Sequence, residues 1–199
     1  MDISFVIVNW NTRDLLLQCL TSIYQTAAHM NFEVWLVDNA STDGSIAAAR
    51  GAYSDIHIIE NTENLGFAAA NNLAFTRMGG RYAVLINTDA RLKAGAIKSL
   101  FDFMEEVPDA SMACGQLLNE DGSKQNSIAP FPTLLSLISN ESLLRHLFPQ
   151  KYPSKRKHYT TPLPVDSCIG ACIMVRKNAM DRVGFLDERY FFFMEETDW

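Results

Sequence analysis

Three apolar runs in the first ninety residues end on oxygen-bearing side chains. Ile3–Val8 stops at Asn9, Val34–Val37 at Asp38-Asn39, and Tyr82–Ile86 at Asn87-Thr88-Asp89. An acid where a buried strand emerges can accept hydrogen bonds from a base or ribose hydroxyl, as in dinucleotide folds; Asp38 is placed for this. A strand-end carboxylate such as Asp89 can also hold a hard divalent cation through oxygen. Such a cation bridges two phosphates and stabilises a departing diphosphate. Each residue also has a plainer use. Asn and Asp end strands as turn formers, and Ser41, Thr42 and Asp43 can cap the helix that follows. A fourth segment, Asn64-Leu65-Gly66-Phe67-Ala68-Ala69-Ala70-Asn71-Asn72, starts a helix with small residues. Gly66 permits close backbone approach, and the first helical amides can face an anion. Tight packing of the alanines on a sheet accounts for the same residues.

The elements that must position these side chains follow from periodicity. Ile3–Val8 reads as a strand buried on both faces. Asn11 or Thr12 can cap the next helix, in which Leu15, Leu16, Cys19, Leu20, Ile23 and Tyr24 recur at helical spacing. Strands are expected at Phe32–Val37, His57–Ile59, Tyr82–Ile86, Ser111–Cys114 and Val165–Val175. Helices are expected from Ile46, at Phe67–Met78 with a stop at Gly79-Gly80, at Ala96–Glu106, at Thr133–Phe148 and at Lys177–Val183. Asn119-Glu120-Asp121-Gly122 reads as a turn. Alternating strands and helices with short connections predict a doubly wound, mostly parallel α/β sheet flanked by helices. We expect one domain, residues 1–199, with residues 1–115 as a ligand-binding half and 116–199 as a second half.

Composition narrows the classes. The 199 residues are 48% hydrophobic, a globular composition with a formal charge of −6. That balance argues against nucleic acid, whose phosphates want a basic face. No stretch reaches the roughly eighteen apolar residues of a membrane span, and the amino terminus starts in a strand with no basic leader. Cys19, Cys114, Cys168 and Cys172 sit in apolar contexts without zinc-type spacing, as reduced core residues of a cytoplasmic protein do. The basic run Lys151, Lys155, Arg156, Lys157, His158 could close over a diphosphate, touch anionic lipid heads at the inner face of a membrane, or simply be solvated.

In order along the chain stand Val6-Ile7-Val8-Asn9-Trp10-Asn11, Val37-Asp38-Asn39-Ala40-Ser41-Thr42-Asp43-Gly44-Ser45, Asn64-Leu65-Gly66-Phe67 and Asn87-Thr88-Asp89. Gly170-Ala171, Gly184-Phe185-Leu186-Asp187-Glu188 and Phe192-Phe193-Met194-Glu195-Glu196-Thr197-Asp198-Trp199 follow. This succession resembles the family 2 glycosyltransferases with the GT-A fold, particularly their bacterial rhamnosyltransferase-like branch, over essentially the whole chain. The resemblance implies an inverting enzyme that moves a sugar from a nucleoside-diphosphate sugar, dTDP-rhamnose or a UDP-sugar, to a hydroxyl of a glycan or lipid-linked acceptor in cell-surface polysaccharide synthesis. It implies that Asn9, Asp38 and Asn39 contact the nucleotide and that Gly66 borders its pocket. Asp89 matches the last acid of the Asp-any-Asp metal motif, with Asn87 at the first position, so a Mg²⁺ or Mn²⁺ ion would rest mainly on Asp89. Gly170 and Ala171 would line the sugar and acceptor pocket. Glu195-Glu196 matches the base motif, with Glu where Asp is usual; Glu196 is favoured as base over Glu195 and Asp198. Relatives continue past this motif, so the resemblance implies a chain cut short at Trp199.

Two other classes fit parts of the pattern. A sugar nucleotidyltransferase should carry a glycine-rich basic loop after its first strand, where Asn9-Trp10-Asn11-Thr12-Arg13 stands instead. A non-catalytic nucleotide-sugar-binding fragment would keep the strand-end acids without turnover.

Overall fold

The structure is a computed structural model and describes residues 1–132, 144, 146–148 and 159–199. Its elements run β1 (Ile3–Asn9), α1 (Arg13–Thr26), β2 (Phe32–Asp38), α2 (Ser45–Ala52), β3 (His57–Glu60), α3 (Gly66–Phe75), β4 (Tyr82–Ile86) and α4 (Ala96–Glu106). They continue with β5 (Met112–Cys114), β6 (Ile128–Ala129), β7 (Ser167–Cys168), β8 (Cys172–Arg176), α5 (Lys177–Val183) and α6 (Glu195–Asp198). Most of the expected Thr133–Phe148 helix and the whole Lys151–His158 run lie outside the described residues.

Met1–Ala113 and Gly170–Trp199 form one compact unit, and Cys114–Ile169 a second. The first is built on a six-stranded sheet in the order β3-β2-β1-β4-β8-β5. β3, β2, β1 and β4 are parallel. The side chains of β4 are all buried, as are nearly all of β1, which accounts for the apolar run of β4 and for that of β1 apart from Ser4. α1 turns Leu16, Cys19, Leu20 and Ile23 inward. α3 buries Ala68, Ala70 and Ala74, whose small side chains suit close packing on β1 and β2. In the second unit, β6 pairs antiparallel with β7. The expected 119–122 turn forms there, with the Gly122 amide donating to the Asn119 carbonyl at 2.9 Å.

Three expectations are corrected. The predicted Val165–Val175 strand is two strands, broken at the Gly170-Ala171 turn, and β8 runs antiparallel to β4 with Ile86 opposite Cys172. α3 ends at Phe75, ahead of Gly79-Gly80. Gly80 instead answers a close approach: a Cβ there would lie 2.5 Å from Ser4 Oγ, which accepts its amide hydrogen. Thr12 occupies the cap position of α1, but its hydroxyl does not bond the helix; the Arg13 amide is capped by Asp43 at 2.8 Å, from the loop after β2.

Among the described residues, no helix is long and apolar enough to cross a membrane. No disulfide joins the four cysteines.

Candidate functional site

The loops after β1 and β2 are fastened to each other. Asn9, at 0% exposure, donates to Asp38 Oδ1 at 2.8 Å and to Ser41 Oγ at 3.0 Å. The Ser41 amide donates to Asp38 Oδ2 at 2.8 Å. The Asn11 amide donates to Ser41 Oγ, and the Thr42 amide to Asn11 Oδ1, each at 2.8 Å. Asn11 and Ala40 both take left-handed backbone conformations, φ 53° and 60°. Such geometry persists in non-glycine residues only where the surroundings over-determine it. Asp43 caps both flanking helices, through the Arg13 and Ser45 amides. The Ser45 hydroxyl also donates to Asp43 and, more than the two amides, holds its carboxyl below the usual range.

Asp38 therefore sits at the carboxyl edge of the sheet, 3% exposed, with both oxygens held in place by the bonds from Asn9 and Ser41. Asn9 lies beneath it with both amide hydrogens spent. Asn9 thereby supports Asp38 from within the sheet edge. Asn39 is likewise buried and turned toward α3. It donates to Asn64 Oδ1 at 3.0 Å and to the Gly66 carbonyl at 3.1 Å, and accepts from Asn61 at 2.9 Å.

β4 delivers Asn87, Thr88 and Asp89 to the same edge. Thr88 points inward and is buried, whereas Asp89 points out. Among the described residues Asp89 has no hydrogen bond or ion pair, and no cluster of three or more His, Cys, Asp or Glu forms. A single exposed acid of this kind fits an ion that takes one or two protein carboxylates and fills its shell with water and phosphate oxygens. Beneath the turn, Cys19 donates to the Asn87 carbonyl at 3.5 Å, and burial pushes its thiol up to about 12.

The antiparallel direction of β8 brings its first residues, rather than its last, to this edge. The Asn87 amide donates to the Ala171 carbonyl at 3.1 Å, so Gly170-Ala171 adjoins the Asp89 turn. Gly170 in turn packs on the Glu196 carboxylate, 3.7 Å from Oε1 to the point where a Cβ would stand. The structure thus brings Asp89, Gly170, Ala171 and Glu196 into one neighbourhood. Glu196 is half-buried and Asp198 exposed. Glu195 is only 4% exposed, and its Oε2 has no hydrogen-bond partner. Burial, with the neighbouring Glu196 adding to it, raises its carboxyl above the ordinary range.

Gly66 has φ +82°, and a Cβ there would lie 2.4 Å from the Phe191 carbonyl oxygen. That oxygen accepts the Phe67 amide at 2.9 Å, and Asn64 Oδ1 accepts the Gly66 amide at 2.9 Å. The first amides of α3 are therefore occupied by the chain itself and do not face an anion here. Close approach at Gly66 serves the segment leading into α6. Asn72 adds a second fastening. It donates to the Leu186 carbonyl at 2.8 Å and to Glu188 at 2.9 Å, and accepts the Leu186 amide at 3.1 Å. Trp199 stacks on Phe75 and donates to the Gly184 carbonyl.

Sequence reasoning missed Trp10, 57% exposed between Asn9 and Asn11. A large aromatic inside a polar strand-end turn was the available signal. It read Thr12 only as a helix cap and gave Thr88 no role of its own within its triplet, since the bond between them shows only once both are placed.

Residues 4–184 match Glycosyl transferase family 2. The chain is 30% identical over 181 residues to N-acetylglucosaminyl-diphospho-decaprenol L-rhamnosyltransferase of Mycobacterium tuberculosis, covering 83% of this chain and 58% of that protein. Among solved structures, S. aureus TarS 1–349 in complex with UDP superposes with a TM-score of 0.62 at 16% identity, over 99% of this chain and 53% of that one. A mannosyltransferase from Pyrobaculum calidifontis, in complex with GDP-Man and Mn²⁺, gives 0.59 at 18% identity, over 94% and 47%. These structural likenesses establish the GT-A fold. The chain spans under two thirds of the length of each of these proteins.

Proposed function

The chain belongs to glycosyl transferase family 2, and from that premise we propose that it is the donor-binding part of an inverting glycosyltransferase acting on a nucleoside-diphosphate sugar. The observation that carries this reading is the contact series Asp89 turn–Ala171–Gly170–Glu196, which sets a half-buried carboxylate beside the turn bearing an unpartnered one. The rhamnosyltransferase similarity favours dTDP-rhamnose as donor and a glycan or lipid-linked hydroxyl as acceptor.

In this reading Asp38 receives the nucleotide, with Trp10 offering a flat ring to the base. Asp89 would hold a Mg²⁺ or Mn²⁺ ion, which supplies positive charge to the leaving diphosphate. An acceptor hydroxyl is a weak nucleophile, so a carboxylate within hydrogen-bond reach must take its proton as the new bond forms. Glu196 suits that role, being only half-buried and next to Gly170. Glu195 does not, since its raised carboxyl is sealed from the acceptor. It serves better as a buried support for the helix that carries Glu196.

Titrating UDP-, dTDP- and GDP-sugars by calorimetry with and without Mn²⁺, followed by transfer assays, tests the proposal. Glu196→Gln should lower kcat by about 10² to 10⁴, the usual worth of general-base catalysis, with donor affinity retained. Asp89→Ala should abolish the metal's effect on binding. Donor binding with no turnover in any acceptor mixture would instead favour a binding module.

A further inference from the structure

A line of hydrogen bonds runs sideways across the three strand ends. Thr12 Oγ1 lies 2.8 Å from Asn9 Oδ1 and 2.9 Å from Thr88 Oγ1. Asn9 Nδ2 is 2.8 Å from Asp38 Oδ1. The proton directions follow from chemistry. Asn9 presents its amide hydrogens to a carboxylate, so its Oδ1 faces Thr12 and can only accept. Thr12 has one hydroxyl hydrogen, and it is shared between two acceptors, Asn9 Oδ1 and Thr88 Oγ1. The series Thr88–Thr12–Asn9–Asp38 thus links β4, the loop after β1, and β2. Asn9, Thr88 and Asp38 are all buried. Thr88 is the inward-facing neighbour of outward-facing Asp89.

We propose that Thr88 and Thr12 are positioning residues that fix the Asp89 turn relative to Asp38, so that a divalent ion and the nucleotide strengthen each other's binding. This rests on the donor-binding reading above. A nucleoside diphosphate held at its base end by Asp38 and at its phosphate end through Asp89 has a set span. Any slack between the two carboxylates is paid on binding as lost coupling. Hydrogen-bonded side chains in series, shielded from water, remove that slack better than isolated ones. A turn needs no hydroxyl at position 88, and a merely structural threonine would not favour metal-bound over metal-free nucleotide.

The test is calorimetry of UDP and dTDP, each with and without Mn²⁺, on the wild type, Thr88→Val, Thr88→Ser and Thr12→Val. The readout is the ratio of metal-free to metal-bound Kd. Thr88→Val should lower this ratio about fivefold, the worth of one hydrogen bond, while metal-free Kd changes less than about twofold. Thr88→Ser, which keeps the hydroxyl, should restore the ratio. Thr12→Val cuts the same series from the other side, should act like Thr88→Val, and stands in if that variant does not fold. An unchanged ratio in a folded valine variant, or equal weakening of both Kd values, overturns the proposal. Wild-type nucleotide binding that Mn²⁺ does not strengthen overturns the coupling but leaves the nucleotide reading standing. No binding of either nucleotide overturns both.

Discussion

Replacing Gly66 by alanine should destabilise the protein and disable its acidic helix while leaving the nucleotide edge intact. Two costs add. Alanine at φ +82° occupies the left-handed region, at about 1–2 kcal/mol. Its Cβ would also stand 2.4 Å from the Phe191 carbonyl oxygen and 2.9 Å from a Phe191 ring carbon, a separation real Cβ atoms do not show. The Phe191 backbone must retreat and give up the Phe67 amide bond, worth about 1 kcal/mol. The sum is about 2–3 kcal/mol. For a chain of this size each kcal/mol moves Tm by about 2–4 °C, so the melt should fall by about 4–12 °C. The variant should stay folded at 25 °C, since typical stability is about 5–15 kcal/mol. Glu195 and Glu196 lie four and five residues beyond Phe191. A displacement of about 1 Å there would cost about 10²-fold in transfer, with nucleotide Kd little changed. Thermal melts by circular dichroism, nucleotide calorimetry and transfer rate read the three effects. Gly95→Ala is the control: its φ is +79° with nothing within 4 Å of the added Cβ, so it carries only the conformational cost. If Gly66→Ala melts no lower than Gly95→Ala and transfers sugar at the wild-type rate, the contact with Phe191 is not what that glycine is for.

Asn72→Ala strips both backbone groups of Leu186 of their partner inside a buried region and should cost about 2–4 kcal/mol; a denaturant midpoint unchanged from wild type would refute the fastening role. Glu195 binds a proton more tightly folded than unfolded, so its contribution to stability falls as pH rises above its ordinary range near 4.5. Glu195→Gln should accordingly raise Tm relative to wild type by an amount that grows as pH rises above about 4.5, and a pH-independent difference would contradict the burial argument. Trp10→Ala should weaken nucleotide binding about tenfold, the low end of the worth of base stacking, and should leave stability nearly unchanged because the side chain is exposed.

Much of the fold was legible because its signals are local. Buried parallel strands read as largely apolar runs, and β1, β2 and β4 were found with their polar ends in place. α4 and α5 matched their expected bounds, and Gly66 announced a close approach. Each of these depends on periodicity or on one residue's conformational range, which the sequence by itself determines.

What only the tertiary structure decided is which distant group answers each local offer. The need for an α1 cap was visible, but Asp43 supplies it from thirty residues away. The turn at Gly170-Ala171 reaches the Asp89 edge because β8 runs antiparallel to β4, a direction its apolar pattern does not encode. Asn9 faces inward to Asp38 because packing of β1 against β2 leaves it no exposure. Glu195 and Glu196 are chemically identical neighbours in sequence. They part only when α6 buries one and lays the other against Gly170. Amino-acid type sets what a side chain can do; burial and hydrogen-bond partners, which depend on the whole chain, set which of those things remains open to it.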